Sequence, residues 1–297
     1  MPNLSVLAAC SAAVLLVGST AGHAAPILGT IAPEGVTVSE AGKPVFFYRT
    51  APAAGAEPGR SNYVHPLYAP DGRVLTEERP ADHLHQRGLF WSWHQVAVDG
   101  QQAADGWFMQ NLTFPVRRTQ FKPQNNGRGV LEVETEWLVG AAGAQVKAAR
   151  ETTRVTTHPL KTGRRRVDFD TVITATTDGF SLGGSNDVKG YGGFSARFVR
   201  NDRLDFTSEG KAVQPQNTAV TAGSAMTFTW PAEAGLPPYR ITLSCKAQGQ
   251  AITQWILRRE LSMQNCVFPG RAPYEIPKGK SLRLQSSLVI EPLETAR

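Results

Sequence analysis

Apolar and polar residues alternate with a period of two along most of this chain, and no long stretch repeats its apolar residues at helical spacing. Val167, Phe169, Thr171 and Ile173 fall on one parity, with Asp168 and Asp170 on the other, the pattern of a half-buried strand. Comparable runs span Val45 to Tyr48, Val130 to Leu138, Ala144 to Thr157, Ala225 to Trp230, Tyr239 to Ala247, Ala251 to Leu257 and Ser281 to Ile290. Turn formers stand between them, among them Pro70-Asp71-Gly72, Asn125-Asn126-Gly127 and Pro277-Lys278-Gly279. Many strands joined by short turns predict an all-β fold, a large antiparallel two-sheet sandwich with its site on one sheet face. With 297 residues the chain can bury a substantial core, and no internal repeat or convincing linker divides it. Residues 51–59 (APAAGAEPG) read as a loop.

Residues 1–24 contain no Lys, Arg, Asp or Glu, are almost continuously apolar from Val6 to Val17, and end in small residues. They predict an export signal, leaving residues 25–297 as a single domain in the periplasm or outside the cell. No other stretch approaches the roughly 20 apolar residues that span a bilayer, so no integral membrane segment is expected in the mature chain. Cys245 and Cys266 then remain, as a disulfide or as two buried thiols on neighbouring strands. Lys and Arg number 31 against 25 Asp and Glu, a mild excess without a dense basic tract, which argues against a nucleic-acid partner. Arg164-Arg165-Arg166 is the one basic run and reads as a solvated turn.

Candidate chemistry concentrates between Tyr63 and Gln95, which holds four of the six histidines and two of the six tryptophans. If residues 83 to 95 are extended, His83, His85, Arg87, Leu89, Trp91, Trp93 and Gln95 share one face, while Phe90, Ser92, His94 and Val96 share the other. The Arg87-Gly88 turn signal divides the two halves of that register. Two imidazoles, a guanidinium and two indoles on one face suit a polar, ring-shaped ligand, small molecule or oligosaccharide. Indoles cover the apolar side of a sugar, cations hold its oxygens, and a histidine titrating near neutrality moves protons. On this reading His83, His85 and Asp82 are catalytic, Arg87, His65, Trp91 and Trp93 bind substrate, and no cofactor is required.

The competing reading is a divalent metal held by His65, His83 and His85, in an oxygenase or hydrolase. Arg87 opposes it, since a fixed cation on the same face repels a metal ion, and the spacing matches no H-E-x-x-H motif. A third reading is a non-catalytic glycan-binding module. The glycines of residues 186–197 lack the strand and helix context of a phosphate loop; they predict a bulge or close backbone approach that brings Lys189 or Arg197 to the pocket. Arg271 and Tyr274 follow as loop residues that close over it. Glu132, Glu134 and Glu136 share one strand face and read as solvated.

Arg60-Ser61-Asn62-Tyr63-Val64-His65-Pro66-Leu67-Tyr68, Asp82-His83-Leu84-His85-Gln86-Arg87-Gly88 with the following Leu89 to Trp93, and Gly190 to Phe198 resemble blocks of the PmoA-like family of exported proteins, which carries a "methane oxygenase" label. Gln86 stands where that pattern has a further histidine. The resemblance brings Asn62 into the candidate binding set and implies a sandwich similar to galactose mutarotase, associated with carbohydrate breakdown. It carries no membrane copper chemistry across to a chain without a membrane span. The function expected is therefore an exported carbohydrate-active protein, an epimerase, lyase or hydrolase working through histidine proton transfer.

Overall fold

A computed structural model describes residues 25–56, 59–232 and 238–293; the predicted export signal lies outside them. Among these residues 24 strands form three sheets, and every strand pairing is antiparallel. A nine-stranded sheet runs in the order Ile27–Ala32, Gly35–Glu40, Lys43–Arg49, Tyr63–Leu67, Leu89–Ser92, Gly193–Arg197, Met263–Val267, Gln254–Ile256 and Val220–Thr221. An eleven-stranded sheet is built around Tyr239–Ala247, Ser281–Pro292, Arg165–Ala175, Val146–Thr157 and Gly129–Val139. A small four-stranded sheet contains Ser181–Gly183 and Gln95–Val98.

The alternation in the sequence sets which face each sheet buries. Leu131, Val133, Val155, Val167, Phe169, Leu243 and Leu288 of the eleven-stranded sheet meet Val36, Val38, Phe46, Val64, Leu89 and Phe194 of the nine-stranded one in a single core. Rings bridge the layers, with centroids 5.5 Å apart for Phe169–Phe194 and 5.8 Å for Trp93–Trp137. Each buried aliphatic or phenyl group contributes about 1.5–3 kcal/mol relative to exposure. The outer face of the eleven-stranded sheet is solvated as expected: Glu132 pairs with Arg154, Glu134 with Arg118, and Glu136 with Arg117 and Lys147.

Three expectations change. The run Ala251 to Leu257 is divided, because Gln250–Ala251 pairs with Tyr239–Ala247 in one sheet while Gln254–Ile256 belongs to the other. Arg165 is buried rather than solvated; it forms an ion pair with Glu40 and donates to the His158 carbonyl at 2.7 Å, tying the eleven-stranded sheet to strand Gly35–Glu40 of the nine-stranded one. Asn62 serves the interior. Its amide donates to Glu151 at 2.8 Å and its oxygen accepts from Tyr48 at 2.5 Å. Glu151 also accepts from Trp137 Nε1 at 2.8 Å and Thr153 at 2.7 Å, and burial raises its pKa.

Cys245 and Cys266 form a disulfide that joins the two sheets through the core. Closing a loop with a sequence separation of 21 restricts the unfolded chain, which gives about 3 kcal/mol of stability in the loop-entropy account. Replacing both cysteines with serine is expected to lower the unfolding free energy by about 3 kcal/mol in urea titration. Equal stability of the two proteins would show that the bridge constrains nothing.

Candidate functional site

The second face of the nine-stranded sheet is also covered, and its covering layer carries the chemistry. Tyr63, Phe90, Ile256, Met263 and Val267 alternate with core residues and form a separate cluster with Trp107, against which Tyr191 packs. Ser195 and Asn265 lie among them, Asn265 Nδ2 donating to Ser195 Oγ at 3.1 Å and to the Phe194 carbonyl at 2.9 Å.

The histidines reach this face from loops, not from a strand. The chain turns twice at residues 80–86, with the His83 N–H on the Pro80 carbonyl at 2.8 Å and the Gln86 N–H on the His83 carbonyl at 3.0 Å. Gly88 then enters the sheet at φ 42°, and a Cβ there would lie 2.0 Å from the Val64 carbonyl oxygen, so only glycine fits. Beyond it Leu89 and Trp91 face the core and Phe90 faces outward. The extended register across residues 83–95 is thus broken on both sides of Leu89–Ser92, because past Ser92 the chain bends before joining the four-stranded sheet.

The loop bearing the histidines is anchored by Arg197. This side chain is fully buried and binds Glu77 at 3.0 Å, Gln86 Oε1 at 2.9 Å and Asp82 at 3.4 Å. Asp82 accepts from His83 Nδ1 at 2.8 Å and pairs with Arg200 at 2.6 Å. Burial works against the Asp82 carboxylate, but the His83 hydrogen bond and the Arg197 charge hold its pKa below the usual value.

His83 and His85 lie together, ring centroids 5.6 Å apart. His85 meets Phe108 edge-on at 4.8 Å and lies 6.1 Å from Trp107. Phe108 is 42 % exposed, an aromatic ring open to solvent beside an imidazole. Burial, followed by the charges of His83, Arg60, His94 and Arg87, pushes the His85 pKa down to about 4, so the ring is neutral at neutral pH.

Sequence parity sets His94 on the opposite face, yet the bend after Ser92 returns it to this site. It lies 5.3 Å from the same Phe108 ring and stacks on Trp107 at 5.4 Å. Its Nδ1 donates to Asp105 Oδ2 at 2.9 Å, and Tyr191 meets it edge-on at 4.8 Å. Arg60, buried beneath the cluster, donates to Ser92 Oγ at 3.1 Å and to the Gly106 carbonyl, with its guanidinium 4.8 Å from the Phe90 ring. Burial and the neighbouring Arg87 lower its pKa to about 9.

Several expected ligand contacts are redirected. Trp91 and Trp93 stack on each other at 6.1 Å in the inter-sheet core, where no sugar ring reaches them. Arg87 is buried and bonds the Leu84 and Gln86 carbonyls, so it shapes the loop. Lys189 is held 3.7 Å from Asp187 in an exposed turn, and Arg271 donates to Asn186 at 3.1 Å. His65 shares the outer face, bonded to Thr76 Oγ1 at 3.0 Å, with its pKa lowered chiefly by burial. Among the described residues no three His, Cys, Asp or Glu side chains gather as a metal-ligand group, so His65, His83 and His85 do not converge on one ion.

The glycine reading holds as close packing: a Cβ on Gly184 would lie 2.1 Å from the Gly190 carbonyl oxygen, seating the turn that presents Tyr191. Asp105, Trp107 and Phe108 escape the sequence reading. Their signal is Asp105-Gly106-Trp107-Phe108, an Asx-type turn in which Asp105 Oδ1 accepts the Trp107 and Phe108 N–H groups at 2.8 and 3.0 Å.

Two outcomes follow. The His85 ring resonances are expected to titrate near pH 4 by NMR, and His83→Gln to move that midpoint up only modestly, since burial is the larger cause. An unfolded histidine binds its proton near pH 6.5, so this group's contribution to stability is present above that pH and is lost as pH falls toward 4. A midpoint near 6.5 would show His85 to be solvated. Arg197→Met removes the buried partner of Glu77, Asp82 and Gln86, leaves the Gln86 oxygen unsatisfied while Asp82 keeps Arg200, and is expected to cost about 1–3 kcal/mol. Hydrogen exchange over residues 77–87 should rise; unchanged protection there would show that Arg197 does not anchor the loop.

No curated protein matches this chain. Residues 35–296 match the family described as "Family of unknown function (DUF6807)". As the match covers most of its length, the chain belongs to that family.

Proposed function

We propose that the protein is an exported carbohydrate-active enzyme that acts on a sugar or sugar derivative by histidine-mediated proton transfer on the outer face of the nine-stranded sheet. The observation that carries this reading is His85, an imidazole kept neutral by burial and set 4.8 Å from the exposed ring of Phe108. A neutral imidazole accepts or donates a hydrogen bond without counter-ion, and an exposed aromatic ring offers an apolar surface to a ring C–H face. Phe108 takes the stacking role expected of Trp91 and Trp93. His83, with Asp82 on its Nδ1, is the second imidazole within reach of a ligand at His85.

Export is supported by the uncharged apolar leader and by the disulfide, a bond at home in an oxidising compartment. The resemblance of its sequence blocks to the PmoA-like family, which implies a galactose-mutarotase-like sandwich, favours the carbohydrate class by fold-level analogy.

A panel of aldoses, ketoses and oligosaccharides incubated with the purified mature protein is expected to yield a product with at least one of them, and His85→Ala to slow that turnover about 10²–10⁴-fold. Equal rates in both proteins would remove His85 from the mechanism. Saturable binding without product would assign the chain to the non-catalytic glycan-binding modules.

A further inference from the structure

His94 has every feature of an oriented base except a partner for its second nitrogen. Asp105 Oδ2 accepts from Nδ1 at 2.9 Å, while Asp105 Oδ1 is committed to two backbone N–H groups, so the carboxylate fixes the imidazole in the Nδ1–H tautomer. That leaves a lone pair on Nε2. This atom is buried and has no hydrogen-bond partner among the described residues, enclosed by the rings of Trp107, Phe108 and Tyr191. Buried polar atoms are nearly always satisfied, so an orphan acceptor at a site points to a ligand donor that completes it. His94 and His85 approach the same exposed ring, Phe108, at 5.3 and 4.8 Å, so both imidazoles border the surface it offers a ligand.

Their surroundings divide the labour. His94 has a carboxylate on its Nδ1, whereas burial first, and then the neighbouring positive charges, disfavour an imidazolium at His85. We propose that His94, oriented by Asp105, is the proton-abstracting base of this site, and that His85 is a neutral hydrogen-bond donor to the carbonyl oxygen of the same ligand, a keto-sugar. The step is an enolisation. The C–H bond next to the carbonyl breaks, its proton passes to His94 Nε2, and its electron pair forms the new carbon–carbon double bond. The carbonyl π pair moves onto the oxygen, which accepts from the His85 N–H. Return of the proton from His94 to the same carbon gives back the keto-sugar; its delivery to the former carbonyl carbon gives an isomer when the proton of the neighbouring hydroxyl passes to the former carbonyl oxygen as that hydroxyl carbon becomes the new carbonyl, so no other reactant is needed. Phe108 is the most exposed of the three rings around His94, so access to Nε2 is assigned to movement of that ring. This assignment rests on the carbohydrate reading above and sharpens it to ketones.

The test follows deuterium entering the carbon next to the carbonyl of D-fructose and D-tagatose in D₂O by proton NMR, with wild type, His94→Gln, Asp105→Asn and His85→Gln. Exchange by the wild type is expected to fall about 10²–10⁴-fold in His94→Gln. Asp105 acts by positioning, so ¹⁵N spectra of histidine-labelled protein should show His94 as the Nδ1–H tautomer in wild type and as a mixture in Asp105→Asn. These spectra need no substrate and no folded variant of His94. An Nε2–H tautomer in wild type, or undiminished exchange in His94→Gln, overturns the assignment of the base. Absence of exchange on both ketoses overturns the ketone class. If His85-dependent turnover of another sugar persists undiminished in His94→Gln, this inference fails and the broader function stands; if no sugar of any kind is bound or turned over, it is the broader reading that fails.

Discussion

Burial of the central strands of the nine-stranded sheet on both faces is the constraint from which the rest of this molecule follows. Leu89–Ser92, Gly193–Arg197 and Met263–Val267 are buried at every residue. One face closes the inter-sheet core with apolar groups. The other carries Ser195, Arg197 and Asn265, and polar groups removed from water must find partners or cost about 1–3 kcal/mol each. Asn265 and Ser195 satisfy one another and the adjoining carbonyls. Arg197 cannot be satisfied within the sheet, so it draws Glu77, Asp82 and Gln86 down onto it. The loop carrying His83 and His85 is therefore placed by the electrostatic need of a buried cation, and loop positioning and sheet burial become one problem.

That coupling explains what was legible in the sequence. Period-two alternation is a local property, and it located Ala225–Trp230 and Tyr239–Ala247 to the residue and the other long strands to within a few residues. Parity also separates inner from outer side chains wherever the chain stays extended, as with Leu89, Phe90 and Trp91. It fails where backbone geometry interrupts the period. Gly88 at positive φ and the bend after Ser92 reverse the faces of His94 and of both tryptophans relative to the histidines before them. Neither break has a periodicity of its own, although the Arg87-Gly88 turn signal marks the first.

Side-chain roles were harder to read than positions, because the role of a charged group is set by partners distant in the chain. Arg197 finds Glu77 across 120 residues and Arg165 finds Glu40 across 125. A guanidinium beside histidines has the composition of a ligand-binding group, but burial without solvent contact makes it an anchor. Trp91 and Trp93 illustrate the same point for apolar rings. They fit a sugar-stacking site by type, yet the core takes them, and Phe108 from an Asx turn supplies the exposed ring instead.

The charges around the site bear on the class of ligand proposed for it. Arg60, Arg87 and Arg197 lie beneath it, with Glu77, Glu78, Asp82 and Asp105 interleaved. Tyr63 donates to Glu78, which also lies 3.8 Å from Arg49, and burial raises the phenol's pKa so that it remains a donor. The cations are thus largely engaged by the protein's own oxygens. A pocket for an anionic substrate keeps an accessible cation, as electrostatic complementarity requires, whereas here the groups facing the exposed ring of Phe108 are imidazoles. A neutral imidazole at His85 beside an aromatic ring is consistent with the neutral, hydroxyl-bearing ligand proposed above rather than a phosphate or carboxylate. The buried positive field contributes indirectly: it adds to burial, the larger cause, in holding His85 uncharged, while the Nδ1 of His94, 9 residues on, is held by the Asp105 carboxylate, so two identical side chains stand in different surroundings.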